Sequence, residues 1–452
     1  MSDLNKKERE QWGSQIMFVL AAAGSAIGLG NIWRFPYLVG ENGGAAFVVI
    51  YMAVIFLIGY PIMVSEMALG KKTSKNPIGA FKALAPNTPW WLVGAMVIIA
   101  STIILSFYTV VTGWAAAYLV KTVTGSLSKG TDFTSAFVDY ISGSYMPIIW
   151  HTIIMASTIG IISAGVVKGI EKTVKFMMPL LFIILIGLVF KSLTLSKVSE
   201  GLEFYLSPNF SKLTWNSVLA AVGQSFFTLS LGMGVMITYG SYLKKGQNIS
   251  DNAAWIVALD TIVALLAGFV IFPAVFSFGF NPASGGGLAF ITLPAVFAEM
   301  SFGAFFGSLF FGLLLLAALT SAISVFEVVV AWFVDEHHCS RVKSSVVIGT
   351  LIFILGIPSA LSNGVLSDFK ILGMNFFDFM DFVQGNVLLP LGAMLTTIFA
   401  GYVLKAEKVK EIINEDAKKI VLGKCFNILI KYIAPVSIFI VMVMGLIDKF
   451  SK

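Results

Sequence analysis

The chain has 452 residues, a length that would make roughly three soluble domains, but only 12% of its residues are charged, against about 25% in soluble proteins. A mean hydropathy of +0.89 means more apolar surface than such domains could bury, which excludes a soluble protein. The net charge of +6 comes without a basic stripe interleaved with aromatic residues, so we expect no nucleic-acid partner.

Apolar segments between charged residues predict eleven membrane-spanning helices, since each crossing needs about 20 predominantly apolar residues. The polar N-terminal segment runs into the first of them without a small-residue cleavage site, so no removable signal peptide is expected. Cys339 and Cys425 lie in polar stretches and are expected to be free thiols. We predict an all-α polytopic membrane protein with spans at 13–37, 42–69, 89–120, 147–167, 174–193, 214–243, 252–278, 304–334, 344–361, 374–404 and 427–447.

Positive charge is distributed unevenly between the connections. Of the 30 Lys and Arg residues, 21 lie on the same side as the N-terminus, in the connections or at the adjoining ends of the spans. Positively charged loops stay in the cytoplasm. The N-terminus is therefore predicted to be cytoplasmic and, after eleven crossings, the C-terminus to be outside. Two connections are long, at 125–146 and 279–303, and the second is expected to hold a re-entrant or short helical segment.

Small residues interrupt the first and sixth spans. Gly24, Gly28 and Gly30 lie close together in the first, and Gly232 and Gly234 lie beside hydroxyl residues in the sixth. Glycine weakens a helix by about 1 kcal/mol relative to alanine, although close helix packing would use the same spacing. Because these spans head two groups of five, the pattern favours a transporter of inverted repeats with its binding site at midplane.

Acidic residues lie inside three predicted spans: Glu66 in the second, Asp260 in the seventh and Glu327 in the eighth. A charge at the bilayer centre is expensive, so a bound cation or a proton is expected at Asp260, the alternative being a protonated, hydrogen-bonded acid. The sequence contains no phosphate-binding loop and no His/Cys cluster, which disfavours a pump or an enzyme and leaves ion-coupled transport or a channel. The histidines are expected in loops or at interfaces: His151, His337 and His338.

Three strings of this sequence resemble the neurotransmitter:sodium symporter family: GSAIGLGNIWRFPYLVGENGGAAF at 24–47, AVGQSFFTLSLGMGVMITYGSY at 221–242 and ALTSAISVFEVVVAWFVDE at 318–336. The resemblance covers nearly the whole chain. It is greatest to the short bacterial amino-acid members with eleven helices, among them tyrosine transporters.

The resemblance implies a 5+5 inverted-repeat fold with helices 1 and 6 broken at midplane and an eleventh helix added, in a bacterial inner membrane. It implies a sodium-coupled importer of a hydrophobic or aromatic L-amino acid and leaves the oligomeric state open. In chain order, the parts would be a cytoplasmic segment at 1–12, the first repeat at 13–193, an extracellular connection at 194–213, the second repeat at 214–404, a cytoplasmic connection at 405–426, and helix 11 with an extracellular C-terminus at 427–452.

The resemblance also implies two sodium sites and a substrate site at the helix breaks, with oxygen ligands that suit a hard cation. The substrate carboxylate would meet the Gly30 amide and the Tyr108 hydroxyl and would itself bind the first sodium ion. The first sodium site would also use Ala26, Asn31, Thr228 and Asp260. The second would use Gly24, Ile27, Ala317, Thr320 and Ser321. The substrate would be bound by Ala26, Leu29, Gly30, Ile104, Tyr108, Phe227, Thr228, Ser230, Met233, Ser321 and Val325.

By the same resemblance, two charged pairs would act as gates. Arg34 and Asp381 would close over the substrate from outside, and Arg9 with Asp335, near Tyr242, would close the cytoplasmic side. Each residue could otherwise be an ordinary interfacial charge. Arg34 is the most informative, since an arginine on the side that is poor in positive charge needs a partner.

Three positions depart from the family pattern. Many members have asparagine where this chain has Asp260, and Ala264 stands where chloride-dependent members have a chloride-binding serine. We hypothesise that Asp260 supplies the charge that chloride provides elsewhere, so no chloride would be needed. Met233 replaces the usual aromatic residue and leaves room for a larger substrate. Two alternatives remain: proton coupling, suggested by Asp260 and Glu327, and a channel or sensor on the same fold.

Overall fold

A computed structural model describes residues 9–283 and 285–450 of the chain, and these residues form helices joined by turns and loops. The one β-type pairing among them is an isolated bridge between Ile371 and Met374. Long apolar runs fold as helices because, in lipid, each backbone N–H and C=O group must be paired within its own segment. The predicted all-α class is confirmed, and Cys339 and Cys425 are free thiols as expected.

Within the described residues, nine uninterrupted helices are long and apolar enough to cross a membrane. The first crossing is a pair of helices bent by 48°, and the sixth is formed by two shorter helices. Counting both gives eleven spans, numbered here in chain order. They are Gln15–Ala26 with Gly30–Glu41, Ala45–Thr73, Trp91–Val123, Met146–Ser163, Val166–Ser192, Trp215–Thr228 with Val235–Gly240, Ser250–Ser277, Gly303–His337, Arg341–Leu361, Phe376–Val403 and Lys424–Ile447.

The two broken spans lie inside the bundle. Span 1 packs against spans 5, 7 and 8, and both halves of span 6 pack against span 2. Span 3 packs along span 8, with spans 4 and 9 beside it. The first half of span 1 presents small buried residues, including Ala22, Ala23 and Gly24, which let neighbouring backbones approach closely.

Short helices lie in the connections on both faces of the bundle. The face that carries the N-terminal segment is called the N-terminal face, and the other the opposite face. The connection at 279–303 contains the expected short helices, Gly285–Leu288 and Thr292–Glu299. The opposite face also carries Phe133–Ile141 and Val198–Leu206, and the N-terminal face carries Pro77–Leu84 and Ala406–Asn414.

Candidate functional site

Span 1 is interrupted at Ile27, whose backbone leaves the helix with a ψ of 98°. The amide of Gly28 donates to the side-chain oxygen of Asn31 at 3.0 Å, whereas an unbroken helix would direct it to the carbonyl of Gly24. Asn31 therefore stabilises the break from its far side. The backbone carbonyls that precede the break lose their helical donors and become available to other groups.

A second amide of the break points at span 3. The amide of Leu29 donates to Tyr108 Oη at 3.4 Å, whereas in an unbroken helix it would bond the carbonyl of Ser25. That carbonyl instead accepts hydrogen bonds from the hydroxyls of Ser230 at 3.0 Å and Ser321 at 2.9 Å. One carbonyl of span 1 thus joins spans 6 and 8 at the break.

Span 6 is interrupted where three residues have backbone angles in the left-handed region, which residues other than glycine rarely adopt. Ser230 has a φ of 54°, Gly232 of 73° and Gly234 of 76°. The Gly232 amide donates to Glu66 Oε1 of span 2 at 2.8 Å, and a Cβ on Gly232 would lie 2.4 Å from the Leu389 carbonyl. A buried carboxylate and a close backbone neighbour therefore hold the unwound turn in place.

Asp260 of span 7 is completely buried beside both breaks. Its Oδ1 accepts hydrogen bonds from Asn31 Nδ2 at 2.7 Å and Thr228 Oγ1 at 2.9 Å. Its Oδ2 has no hydrogen-bond partner among residues 9–283 and 285–450. Burying an uncompensated carboxylate oxygen is costly, so this oxygen suits a cation, with the amide and hydroxyl oxygens of Asn31 and Thr228 close by.

A second set of oxygens lies where spans 1 and 8 meet. Thr320 Oγ1 donates to the Ala317 carbonyl at 2.9 Å, and a Cβ on Gly24 would lie 3.5 Å from the Cβ of Thr320. Ser321 Oγ bonds span 1 directly, as described above. The structure thus brings Gly24, Ala317 and the two hydroxyls together, and Ile27 lies at the break three residues after Gly24.

These two groups consist of backbone, amide and hydroxyl oxygens with a single carboxylate. The described part of the chain contains no group of three or more His, Cys, Asp or Glu side chains that could hold a metal ion. Hard oxygen ligands of this kind suit alkali and alkaline-earth cations and not transition metals.

A small cavity lies between the breaks and spans 3 and 8. It brings together ten of the eleven residues predicted to bind substrate, and only Thr228 does not line it. Their role in binding stays a prediction. The lining residues are Ser25, Ala26, Gly28, Leu29, Gly30, Ile104, Tyr108, Phe227, Ser230, Met233, Ser321 and Val325.

Gly28 leaves space for a ligand in this cavity. A Cβ at this position would lie 2.5 Å from Ser321 Oγ and 3.0 Å from Tyr108 Oη, so no larger residue fits without displacing these hydroxyls. Hydroxyl groups therefore face the break in span 1, while the wall also includes apolar side chains such as Ile104 and Met233. This combination suits a small ligand with a polar head and an apolar side chain.

The pair predicted to close the cytoplasmic side is in contact. Arg9 forms an ion pair with Asp335, and its guanidinium lies 4.8 Å from the centre of the Tyr242 ring. Asp335 also accepts hydrogen bonds from the backbone and side-chain amides of Asn76, at 3.2 and 3.1 Å. Arg9 donates to Ser241 Oγ at 2.8 Å. A connected set of polar contacts therefore joins spans 6 and 8 and Asn76 at the N-terminal face.

Glu327 belongs to the same region of the bundle. Its Oε1 accepts hydrogen bonds from the Tyr242 hydroxyl at 2.6 Å and from the Arg341 guanidinium at 2.6 Å. The carboxylate is completely buried, and the guanidinium compensates its charge.

The pair predicted to close the outer side is apart. Among the described residues, Arg34 and Asp381 form no ion pair within 4.0 Å. The guanidinium of Arg34 lies 4.9 Å from the centre of the Phe227 ring instead. Phe227 lines the smaller cavity, and Arg34 lines a larger one between spans 1, 6, 10 and 11.

The sequence analysis noted Glu66 as an acid inside a span and Gly28 as part of the first break, but it predicted no site role for these two residues or for Ser25 and Gln224. Ser25 and Gly28 line the cavity although neither was predicted to bind substrate. Gln224 Nε2 donates to the Gly30 carbonyl at 2.7 Å, and Glu66 holds span 6. For Ser25, Gln224 and Glu66, the available signal was the one that singled out Asp260, namely a polar side chain inside an apolar span.

The sequence matches the Sodium:neurotransmitter symporter family over residues 9–139 and 142–452. An uncharacterized sodium-dependent transporter of Bacillus subtilis strain 168, YhdH, is 46% identical over 442 residues, covering 97% of this chain and 98% of that protein. An uncharacterized sodium-dependent transporter of Haemophilus influenzae is 38% identical over 455 residues, covering 98% and 99%.

More distant relatives and a solved structure extend the comparison. The sodium- and chloride-dependent GABA transporter 2 of Bos taurus is 29% identical over 381 residues, covering 73% of this chain and 62% of that protein. The crystal structure of MhsT in complex with L-phenylalanine is similar to this chain with a TM-score of 0.89 and 44% identity, covering 97% of this chain and 100% of that one.

Proposed function

This chain belongs to the sodium:neurotransmitter symporter family, and from that premise we propose that it imports a hydrophobic or aromatic L-amino acid together with sodium by alternating access. The family consists of transporters, so the chain is a sodium-dependent membrane transporter and not an enzyme. One observation carries the finer proposal: the buried and unpaired Oδ2 of Asp260 lies beside two helix breaks that also border the cavity lined by ten of the predicted substrate residues.

Sodium and substrate would share a ligand at this place. The first sodium ion would be bound by Asp260, by the oxygens of Ala26, Asn31 and Thr228, and by the carboxylate of the substrate. Because each ligand then completes the site of the other, each raises the affinity of the other by the same factor. A second sodium ion would be bound where spans 1 and 8 meet, by Gly24, Ile27, Ala317, Thr320 and Ser321.

The substrate would be an amino acid with a large apolar side chain. MhsT, at 44% identity, has been crystallised with L-phenylalanine, and the cavity of this chain combines hydroxyl groups at the break with an apolar wall. Gly28 contributes no side chain that would keep the carboxylate away from the Tyr108 hydroxyl and the Gly30 amide. Met233 is flexible and adapts to bulky side chains.

Chloride would have no part in this transport. The mammalian GABA transporter 2 is described as sodium- and chloride-dependent, whereas this chain carries a fixed carboxylate at Asp260. Ala264, one turn later in span 7, is completely buried and offers no hydroxyl to an anion. The Asp260 charge would balance the sodium ion that chloride balances elsewhere.

The arrangement of the charged pairs fits a carrier that is closed towards the cytoplasm. We assign the N-terminal face to the cytoplasm, as the distribution of Lys and Arg predicts, with repeats at 13–193 and 214–404. Arg9 and Asp335 would then form the closed inner gate. Arg34 and Asp381 would be the open outer gate, which closes over Phe227 once sodium and substrate have bound.

Proton coupling is the second candidate, and the unpaired carboxylate oxygen Oδ2 of Asp260 is the observation that favours it. Glu327, the other acid that suggested a proton, is already compensated by Arg341. The two candidates differ in their response to sodium omission at fixed pH. Uptake that continues in choline and follows an imposed pH gradient would support proton coupling.

A binding screen tests the proposal directly. The purified protein would be heated with each of the twenty amino acids in sodium chloride, choline chloride and sodium gluconate. We expect phenylalanine, tyrosine, tryptophan or leucine to raise the melting temperature in both sodium salts. None of them should raise it in choline chloride. Equal shifts with and without sodium would overturn the sodium site, and loss of the shift in gluconate would overturn the chloride assignment.

A further inference from the structure

His151 lies inside span 4 and is completely buried, so its prediction as a loop or interface residue is wrong. Its two ring nitrogens contact two other spans: Nδ1 lies 3.0 Å from Thr109 Oγ1 of span 3, and Nε2 lies 3.1 Å from the Phe353 carbonyl of span 9. The ring also stacks on the Phe353 side chain, with centroids 4.8 Å apart. One side chain thus links spans 3, 4 and 9.

The partners determine how the ring is protonated. A carbonyl oxygen can only accept, so Nε2 carries the proton and donates to Phe353. In the neutral ring, Nδ1 can only accept, so it shares the single proton of the Thr109 hydroxyl with another acceptor. The same hydroxyl lies 2.8 Å from the Leu105 carbonyl of its own helix, which is its usual acceptor. His151 therefore offers Thr109 a partner outside span 3.

Close backbone contacts surround this link. A Cβ on Gly356 of span 9 would lie 2.4 Å from the Ser106 carbonyl and 2.6 Å from His151 Nε2. A Cβ on Gly113 of span 3 would lie 3.0 Å from Trp150 Cβ and 3.2 Å from the His151 amide. Two glycines thus let the three helices meet at backbone distance, and the imidazole fills the space between them.

Span 3 carries the cavity residue Tyr108 directly before Thr109. Tyr108 Oη lies 3.4 Å from the Leu29 amide, already at the long end for a hydrogen bond. A small rotation or slide of span 3 would move this hydroxyl out of reach of the break. We propose that His151 is a positioning residue that fixes the rotation and height of span 3, so that the Tyr108 hydroxyl meets the substrate carboxylate. This inference rests on the proposed function.

The test is a double-mutant cycle read out as the Kd of L-phenylalanine at saturating sodium, with the melting temperature of each ligand-free variant measured alongside. His151→Leu removes both hydrogen bonds at similar volume. We expect the Kd to rise about tenfold, the effect of losing one hydrogen bond to a charged group. In the Tyr108→Phe background the same change should alter the Kd less than twofold, because the hydroxyl that His151 positions is absent.

Three further variants sharpen the result. Thr109→Val should raise the Kd as His151→Leu does. The double variant should raise the Kd no more than either single variant, since both changes break the same link. Thr109→Val also serves as the test if His151→Leu does not fold. His151→Gln keeps an N–H group for Phe353 and should recover part of the affinity. Met155→Leu, a buried change one turn along span 4, should leave the Kd unchanged.

A purely structural role for His151 predicts a different pattern. The inference is overturned if His151→Leu lowers the melting temperature but leaves the Kd within twofold of wild type. It is equally overturned if the loss of affinity is as large in the Tyr108→Phe background as in the wild type. Wild-type protein that binds none of the twenty amino acids with sodium would instead overturn the proposed function, and this inference with it.

Discussion

Replacing Asp260 by asparagine would remove one charge from the helix breaks while keeping the shape of the site. The asparagine oxygen can still accept the hydrogen bonds from Asn31 and Thr228, now 2.7 and 2.9 Å long. The change therefore isolates the charge that Oδ2 offers to sodium. Interactions of buried charged groups are worth about 1.5–3 kcal/mol, so the sodium concentration for half-maximal binding should rise roughly 10- to 150-fold.

The assay is a sodium titration of L-phenylalanine binding to purified Asp260→Asn protein, with choline keeping the ionic strength constant. Linkage requires a second effect, since at a fixed, non-saturating sodium concentration the apparent affinity for L-phenylalanine should also fall. Asp251→Asn is the matched control. Asp251 lies at the start of the same span and accepts hydrogen bonds from the Lys419 and Ile420 amides, far from the breaks along the helix.

Two results would refute this reasoning. A sodium midpoint within twofold of wild type in folded Asp260→Asn protein would mean that the carboxylate does not bind the ion. A similar rise of the sodium midpoint in Asp251→Asn protein would mean that the loss of any carboxylate on span 7 weakens sodium binding. The effect of Asp260→Asn would then not be specific to the helix breaks. We expect the control to titrate like the wild type.

Three further changes test other parts of the site. Thr320→Val removes one hydroxyl of the second sodium site and should lower the Hill coefficient for sodium from near two towards one; an unchanged coefficient would contradict that site. Gly28→Ala places a Cβ against the hydroxyls of Tyr108 and Ser321. Since overpacking costs about 1–3 kcal/mol, calorimetry should show L-phenylalanine binding weakened roughly 5- to 150-fold. An unchanged Kd would show that the substrate does not need the space at Gly28. Met233→Phe fills the apolar wall and should shift competition binding from L-phenylalanine towards L-alanine; a constant ratio of their Kd values would show that Met233 does not set substrate size.

The helix breaks could be predicted from the sequence because their cause is local. Gly28 and Gly232 lie where the backbone leaves the helix, and neither could carry a Cβ without a clash. The hydroxyl of Ser230 beside the second break marks a polar group that needs a partner in the bilayer. Glycines and polar residues that lie close together within an apolar span can be recognised in a short stretch of sequence. The sequence alone therefore indicates both breaks.

Partners that are distant in sequence could not be predicted in this way. Glu66 meets the Gly232 amide across 166 residues, and His151 meets the Phe353 carbonyl across 202. No periodicity identifies such a pair, because the pairing depends on how whole spans pack. A buried polar residue within an apolar run signals only that some partner exists, which is why His151 was misplaced.

The outer pair illustrates a different limit. Arg34 and Asp381 carry the charges expected of a gate, yet Arg34 lies over Phe227. In a transporter with two main states, the distance between two gate residues depends on the state and on the bound ligands. Under the proposed function, Arg34 and Asp381 would be apart in one state and paired in the other.

The most direct test of the account is uptake of radiolabelled L-phenylalanine into proteoliposomes under an imposed inward sodium gradient. A tenfold gradient supplies about 1.4 kcal/mol per coupled ion, so the account predicts internal accumulation of up to roughly tenfold with one coupled sodium ion and roughly a hundredfold with two. Accumulation should vanish when sodium is equal on both sides and should persist when gluconate replaces chloride. Entry that stops at the external concentration, or that continues unchanged in choline, would contradict sodium-coupled transport at the helix breaks.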